Sequence, residues 1–273
     1  MLSGDIVEND LVERIAGRAV MEELLRSRAD TPPRGTLARV LGISPLTRDE
    51  QAWYVGAVGE SITGRMLASL DNRWTVLHSV PIGTGISDVD HIIIGPCGVF
   101  TVNTKHHAGQ PIAVGARSLT VAGHTMPYMR NSEYEAERAT ISLSRVLPAS
   151  VDVTPVLAFV DPKSVTVKEL PRFVRVLDAH NLVRWLRTQP VVLAPHQVAL
   201  IAMVAADPAT WHTHPAASSN ARMLQQQFDA LHREVRTARR LRVSWAALAI
   251  SATAIAALVS APVVGQFLSN LFV

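Results

Sequence analysis

One cysteine, Cys97, occurs in 273 residues. That excludes an intramolecular disulfide and a zinc centre built on several thiolates. No Gly-x-x-x-x-Gly-Lys-Ser/Thr run is present, so a phosphate loop for ATP or GTP, and with it a nucleotide cofactor, is not expected. Charged residues are scarce at 18%, and the formal net charge of +3 is too small to establish a polyanionic partner by itself. Repeats and low-complexity tracts are missing. Met1 to Asp10 is acidic and no apolar run follows it, so no secretory signal is expected.

The most informative absence is at the other end. From Val243 to Val273 there is no charged residue. Within this stretch, Val243 to Val264 as a helix of about 22 residues spans roughly 33 Å, enough for a bilayer core. The competing expectation is a buried C-terminal helix, since the run is rich in Ala and carries Ser and Thr. Arg233, Arg236, Arg239, Arg240 and Arg242 precede it, with Glu234 the only acid among them. Cationic residues beside a span stay on the cytoplasmic side. The expectation is therefore a single-pass protein of the cell membrane with a cytoplasmic N-terminal domain. Residues 1–50 form an N-terminal helix and linker, 51–190 the main domain, 191–240 a helical and basic extension, and 243–264 the transmembrane helix.

Along the chain, Asp5 to Arg28 has helical apolar spacing and reads as one amphipathic helix, a packing accessory. Thr31 to Asp49 reads as irregular or loosely attached. Gln51 to Leu70 is a helix with Val58, Ile62, Met66 and Leu70 four apart. A second stripe, Gly56, Glu60 and Gly64, lets that helix approach a neighbour while the carboxylate points into the contact. Trp74 to Val80 is a strand, followed by a Gly83-Thr84-Gly85 loop. Pro111 to Val114 and Leu119 to Ala122 suggest a hairpin. Asn131 to Leu147 is a helix with Glu133, Glu135 and Glu137 early and Arg145 late, as the helix dipole favours. Val153 to Val160 is a buried strand and Arg172 to Leu177 another; Asp178 caps a helix through Arg187, and Pro195 to Ala206 is a further helix. The order predicts an α/β fold with a mixed sheet.

Between these elements lies the stretch from Ser87 to Lys105, two β-branched runs joined by Gly95-Pro96-Cys97-Gly98, a hairpin pattern. A turn centred on Pro96-Cys97 sets Ile94 opposite Val99, Asp90 opposite Asn103 and Asp88 opposite Lys105. Side chains alternate, so Asp88, Asp90, Asn103 and Lys105 share one face. Two acids, an amide and a lysine at the end of an apolar hairpin form a candidate site. An internal Asp90–Lys105 ion pair is the competing explanation. His91 is expected on the opposite face, in the core or supporting the site residues from behind, and Cys97 as structural. Trp211-His212-Thr213-His214 is read as part of a linker.

Gly56-x-x-Gly59-Glu60, Asp88-x-Asp90-His91, Gly95-Pro96-x-Gly98-Val99-Phe100 and Thr104-Lys105, with Asn131 to Arg138 after them, together resemble the nuclease-related domain (NERD) family. The resemblance covers roughly Ala52 to Val160, extending at most to Arg187. It implies a restriction-endonuclease-like α-β-β-β-α-β core. It also implies phosphodiester hydrolysis of DNA or RNA with Mg²⁺ or Mn²⁺ held by carboxylates. On that resemblance Asp90 is the central metal ligand, Lys105 the catalytic lysine, and Glu60 an accessory ligand, with Asp88 and Asn103 completing the set. Asn103 departs from the Asp/Glu-x-Lys pattern of such nucleases; its amide can ligate Mg²⁺ but brings no charge. His106 and His107 are candidate phosphate contacts, and Arg117, His124 and Arg130 add positive charge. The alternative function is a non-catalytic nucleic-acid-binding or scaffold module at the membrane; a third is a structural membrane partner organised by the N-terminal helix.

Overall fold

The apolar runs flanking the Gly95–Gly98 turn form strands β2 (Asp88–Gly95) and β3 (Gly98–His106), antiparallel, with Ile94 opposite Val99 as the turn requires. The computed structural model describes residues 11–29, 31–82, 88–211 and 220–271; the expected loop at Gly83-Thr84-Gly85 and the segment His212 to His214 lie outside them. Strand β1 (Thr75–Pro81) runs antiparallel to β2 on its other side. Strand β7 (Val153–Val160) runs parallel to β3, and β9 (Arg175–Asp178) parallel to β7. This gives a five-stranded mixed sheet of order β1-β2-β3-β7-β9.

Alternation along β2 and β3 sorts the core into two faces. Ile92, Ile94 and Val99 pack with Ala136, Ala139 and Leu143 of α4 (Tyr128–Val146) and with Ile201 and Ala205 of α6 (Pro195–Ala206). Ile93, Phe100 and Val102 pack with Leu67 of α3 (Arg48–Leu67) and with Leu182 and Leu186 of α5 (Leu182–Thr188). Helices therefore cover both faces, which is why the central strands are apolar on both sides. Thr47 and Glu50 form a capping box that starts α3 three residues before the expected Gln51.

One mixed sheet is expected from the sequence; two are present among the described residues. The second has the order β6-β5-β4-β8, from β4 (Pro111–Val114), β5 (Leu119–Val121), β6 (His124–Thr125) and β8 (Ser164–Val167). It packs Ile112, Val114, Leu119 and Val121 on Leu157 and Phe159 of β7. Strand β8 escapes sequence reading because its four residues are partly or fully exposed and leave no apolar run.

The N-terminal segment also differs from expectation. Of the helix expected over Asp5 to Arg28, Asp5 to Asp10 lie outside the described residues; over the rest a 3₁₀ turn (Leu11–Glu13) and α1 (Arg18–Arg28) replace a single helix, because Gly17 at φ 82° breaks the spiral between them. Met21 and Leu24 of α1 pack with Tyr54 and Ala57 of α3 and with Leu224, Phe228 and Leu231 of α7 (Ala221–Leu271). The stretch expected to be loosely attached contains α2 (Thr36–Val40) and is fastened to α7. Arg34 Nε donates to Glu234 at 3.1 Å, and Trp245 Nε1 donates to the Val40 carbonyl at 2.8 Å. A five-residue helix is too short to leave a periodic signal.

Helix α7 runs unbroken for 51 residues. Ala221, Leu224, Phe228, Leu231 and Ala238 are its buried stripe, and every described residue from Arg239 to Val259 is exposed. It is the one helix among the described residues long and apolar enough to cross a membrane. The competing expectation of a buried C-terminal helix does not hold for that stretch.

Candidate functional site

The β2–β3 ladder ends at His91 opposite Val102. Beyond it β2 stays with β1 as far as Asp88, while β3 stays with β7 as far as His106. The expected pairings of Asp90 with Asn103 and of Asp88 with Lys105 are therefore not ladder pairs; the strands fork there. The Asp90 carboxylate fills the fork, where Oδ2 accepts the Thr104 backbone N–H at 2.6 Å. Across β1 from Asp90 stands Ser79, a non-glycine residue at φ 46°, whose carbonyl accepts Arg14 Nη1 at 2.8 Å.

Helix α3 brings Glu60 to the fork from the face that carries Thr104 and His106. Gly59 makes this approach possible, because a Cβ there would sit 2.8 Å from the His106 Cβ and 3.6 Å from Thr104 Cγ2. Gly64 is likewise tight against Ala16, at 2.4 Å, whereas Gly56 has room. From the opposite face α4 supplies Glu135. Asn103 Nδ2 donates to both its oxygens, at 2.8 and 2.9 Å.

Four carboxylates thus share one neighbourhood, and all bind protons more readily than usual. Burial, then the charges of Asp90 and Asp88, hold Glu60 well above the usual carboxylate range, with Lys105 acting in the opposite sense. Burial and Asp90 push Asp88 up to about 7. The same two causes push Glu135 up to about 7 against the Asn103 hydrogen bonds. Burial also raises Asp90, opposed by Lys105 and by the Thr104 N–H. Carboxylates that raise one another's pKa at one spot are short of positive charge.

Lys105 is the positive group within this field; no Lys105–Asp90 ion pair stands among the described residues, and its charge acts on Asp90 through space, lowering the Asp90 pKa. Its Nζ lies over the Tyr128 ring, 5.4 Å from the centroid. Tyr128 is braced in turn: its hydroxyl meets His107 Nε2 at 3.0 Å, and its ring stacks on that imidazole. His106 diverges from His107, with Nδ1 donating to the Val55 carbonyl at 3.3 Å and Nε2 lying 3.8 Å from Asp161. Arg117, His124 and Arg130 are exposed, and no contact ties them to the carboxylates among the described residues.

His91 faces away from Asp90 into the core, as alternation requires, and is wholly buried. Its Nδ1 shares a hydrogen bond with His78 Nδ1 at 2.8 Å. Burial lowers the pKa of both rings, that of His78 to about 4, so both are neutral. Cys97 donates to the Leu186 carbonyl at 3.5 Å, and burial pushes its thiol pKa up, the reverse of an activated nucleophile.

Sequence reading missed Glu135 and Tyr128. Glu135 precedes the buried Ala136 and follows the buried Ser132 by three residues, so it borders the inward face of α4. That adjacency was the available signal, and the dipole explanation of the acidic turn masked it. The donors fit a hard divalent cation in kind: all are oxygens, and Asp88 Oδ2 and Asn103 Oδ1 are buried without a hydrogen-bond partner. No three His, Cys, Asp or Glu side chains are grouped closely enough to encircle an ion among the described residues. The carboxylates would have to draw together around one.

Residues 55–160, which contain this entire cluster, match the family model of the nuclease-related domain (NERD). An uncharacterized protein of Bacillus anthracis is 34% identical over 77 residues, which cover 27% of this chain and 36% of that protein. The chain thus spans about a third of the length of the curated relative it matches. No solved structure matches it significantly.

Proposed function

We propose that the protein is a membrane-tethered, Mg²⁺- or Mn²⁺-dependent nuclease whose centre is the fork of β2 and β3. The observation that carries this reading is the set of Glu60, Asp88, Asp90 and Glu135, each with a raised pKa, around Lys105 inside the matched domain. With β4 to β6 of the second sheet set aside as an insertion between β3 and α4, the order α3-β1-β2-β3-α4-β7, with β7 parallel to β3, supports the endonuclease-like core that the resemblance implies. Asp90 and Glu60 would hold the ion, with Asp88 and the Asn103 carbonyl oxygen beside them. Glu135, gripped by Asn103, supplies the negative charge that Asn103 lacks. A divalent ion bound there would supply Lewis acidity and a more acidic water. Lys105, steered by Tyr128, would present its ammonium to the charge developing on the phosphate. The exposed apolar part of α7 is the tether, and the arginines before it favour a cytoplasmic domain at the cell membrane. The unit bearing the chemistry is residues 51–190, flanked by the N-terminal segment 1–50 and the extension 191–240.

The test is cleavage of plasmid DNA and of single-stranded DNA and RNA by the full chain in detergent micelles, with Mg²⁺, Mn²⁺ or chelator. Metal-dependent cleavage that falls by about 10²-fold or more in Lys105→Ala and Asp90→Asn is the expected result. Cleavage that survives Lys105→Ala would sink the assignment. The dispersed carboxylates favour a second reading, a non-catalytic nucleic-acid-binding module. Its signature is salt-sensitive, metal-independent binding with no turnover.

A further inference from the structure

We propose that the segment Arg34 to Ile43, lying against α7, forms a binding site for one anionic phospholipid, with the phosphate among arginines and an acyl chain along the apolar groove below. This rests on the membrane reading of α7 and adds to it a lipid-selective site.

Two adjoining recesses carry the proposal. One, of about 540 Å³, is lined by Arg34, Arg39, Arg233, Glu234, Thr237 and Leu241, together with Ala238. The other, of about 530 Å³, is lined by Arg39, Val40, Leu241, Ser244, Trp245 and Leu248. Arg39 and Leu241 belong to both, so a basic hollow opens into an apolar one. The charges in the first are uneven. Glu234 is its only acid and is taken by Arg34, whose Nη1 also donates to the Ile43 carbonyl. The guanidinium groups of Arg39 and Arg233 have no partner among the described residues. Arg236, Arg239, Arg240 and Arg242 add exposed positive charge on neighbouring turns. A phosphate is the group that two such guanidinium forks match.

The apolar half argues for lipid rather than for a soluble phosphate. Leu37 is 72% exposed, Val40 51%, Leu41 44% and Ile43 53%, an apolar patch on a ten-residue strap. The patch sits where α7 passes from Arg242 to the uncharged run beginning at Val243, the level at which headgroups meet acyl chains. Trp245, an amphipathic ring of the kind found at that level, is fixed there by its bond to the Val40 carbonyl. Gly42, at φ 69°, holds the strap so close that a Cβ would meet the Ala238 carbonyl oxygen and the Arg242 nitrogen at 2.6 Å. The cradle is therefore preformed.

The experiment reads Trp245 fluorescence in the full chain reconstituted into phosphatidylcholine vesicles. The vesicles are doped with brominated phosphatidylglycerol or, at the same fraction, brominated phosphatidylcholine. Trp245→Phe isolates the contribution of this ring from the other tryptophans. The expected result is a roughly tenfold preference for quenching by the anionic lipid, lost in the Arg39→Gln/Arg233→Gln double variant and in high salt. Equal quenching by the two lipids, in protein that floats with the vesicles and resists alkaline extraction, overturns the lipid site and leaves the membrane reading standing. A preference abolished by millimolar inorganic phosphate overturns it in favour of a soluble-anion site. Failure to float overturns both.

Discussion

Asn103 is where the residue scale is most informative. Its amide does what an aspartate there cannot: it donates to Glu135 and so lets a second carboxylate approach Asp90. Asn103→Asp should remove those two donations and set like charges together. Without metal the protein should lose about 1–3 kcal/mol at alkaline pH, where the carboxyls are ionised. Mg²⁺ should then bind more tightly than in the parent chain. Calorimetric titration with Mg²⁺ and metal-free melting check the two halves, and unchanged Mg²⁺ affinity would refute the charge-substitution account. Asp90, Lys105 and Glu60 were legible in the sequence because strand alternation and helical spacing are local. Glu135 was not, because it meets Asn103 across 32 residues and its spacing also fits an ordinary amphipathic helix. The strained Ser79 backbone left no sequence signal at all.

At the scale of elements, α3 is placed by what it omits. Gly59→Ala should cost about 1–3 kcal/mol, because the added methyl meets the His106 Cβ, an atom fixed to the strand backbone. Gly56→Ala is the matched control. Its nearest neighbour is the Val20 side chain at 3.8 Å, so the better helix former should stabilise by up to about 1 kcal/mol. Thermal melts of the two variants should move in opposite directions; equal shifts would mean that α3 can slide and that Glu60 is not held by this contact. The Gly56-Glu60-Gly64 stripe read from sequence marks a close approach at Gly64 but not at Gly56, and the tight contact with β3 falls on Gly59, off the stripe. It did not show which neighbour, since β3 and the turn around Ala16 are equally silent partners. The short elements, α2 and β8, were lost for a different reason: they are ordered by tertiary contacts rather than by a periodic face.

Over the whole molecule, stability should depend on pH through two sets of buried groups acting in opposite senses. Asp88 and Glu135, both near 7 in the fold, keep protons that the unfolded chain releases near pH 4, so their contribution is present in acid and lost as pH rises through about 7. His78, lowered to about 4, refuses a proton that the unfolded chain accepts below about 6.5, so its contribution is lost as pH falls through that window. The two partly cancel in mild acid, and above the histidine range only the carboxyls act. Urea unfolding of the metal-free chain should show stability falling as pH rises from about 6.5 to 8. Asp88→Asn with Glu135→Gln should flatten that fall, and so should saturating Mg²⁺, which takes over the role of the protons. A profile that keeps its slope in the double variant would assign the effect elsewhere. The continuity of α7 sets a different kind of constraint. Before Val243 the helix runs unbroken from Ala221 for about 33 Å, packed through Leu224, Phe228 and Leu231 on α1 and on α3, the helix that carries Glu60, and it passes into the apolar run without a break. With α7 in a bilayer, the carboxylate fork keeps one height and one bearing over the membrane plane, as a lamp does on a fixed post. Each residue added or removed near Arg240 would lift that fork by about 1.5 Å and turn it by about 100°. On the proposed nuclease function, the domain would meet its polymer at a fixed compass heading, and a strand lying on the wrong side of the post would have to come round to it.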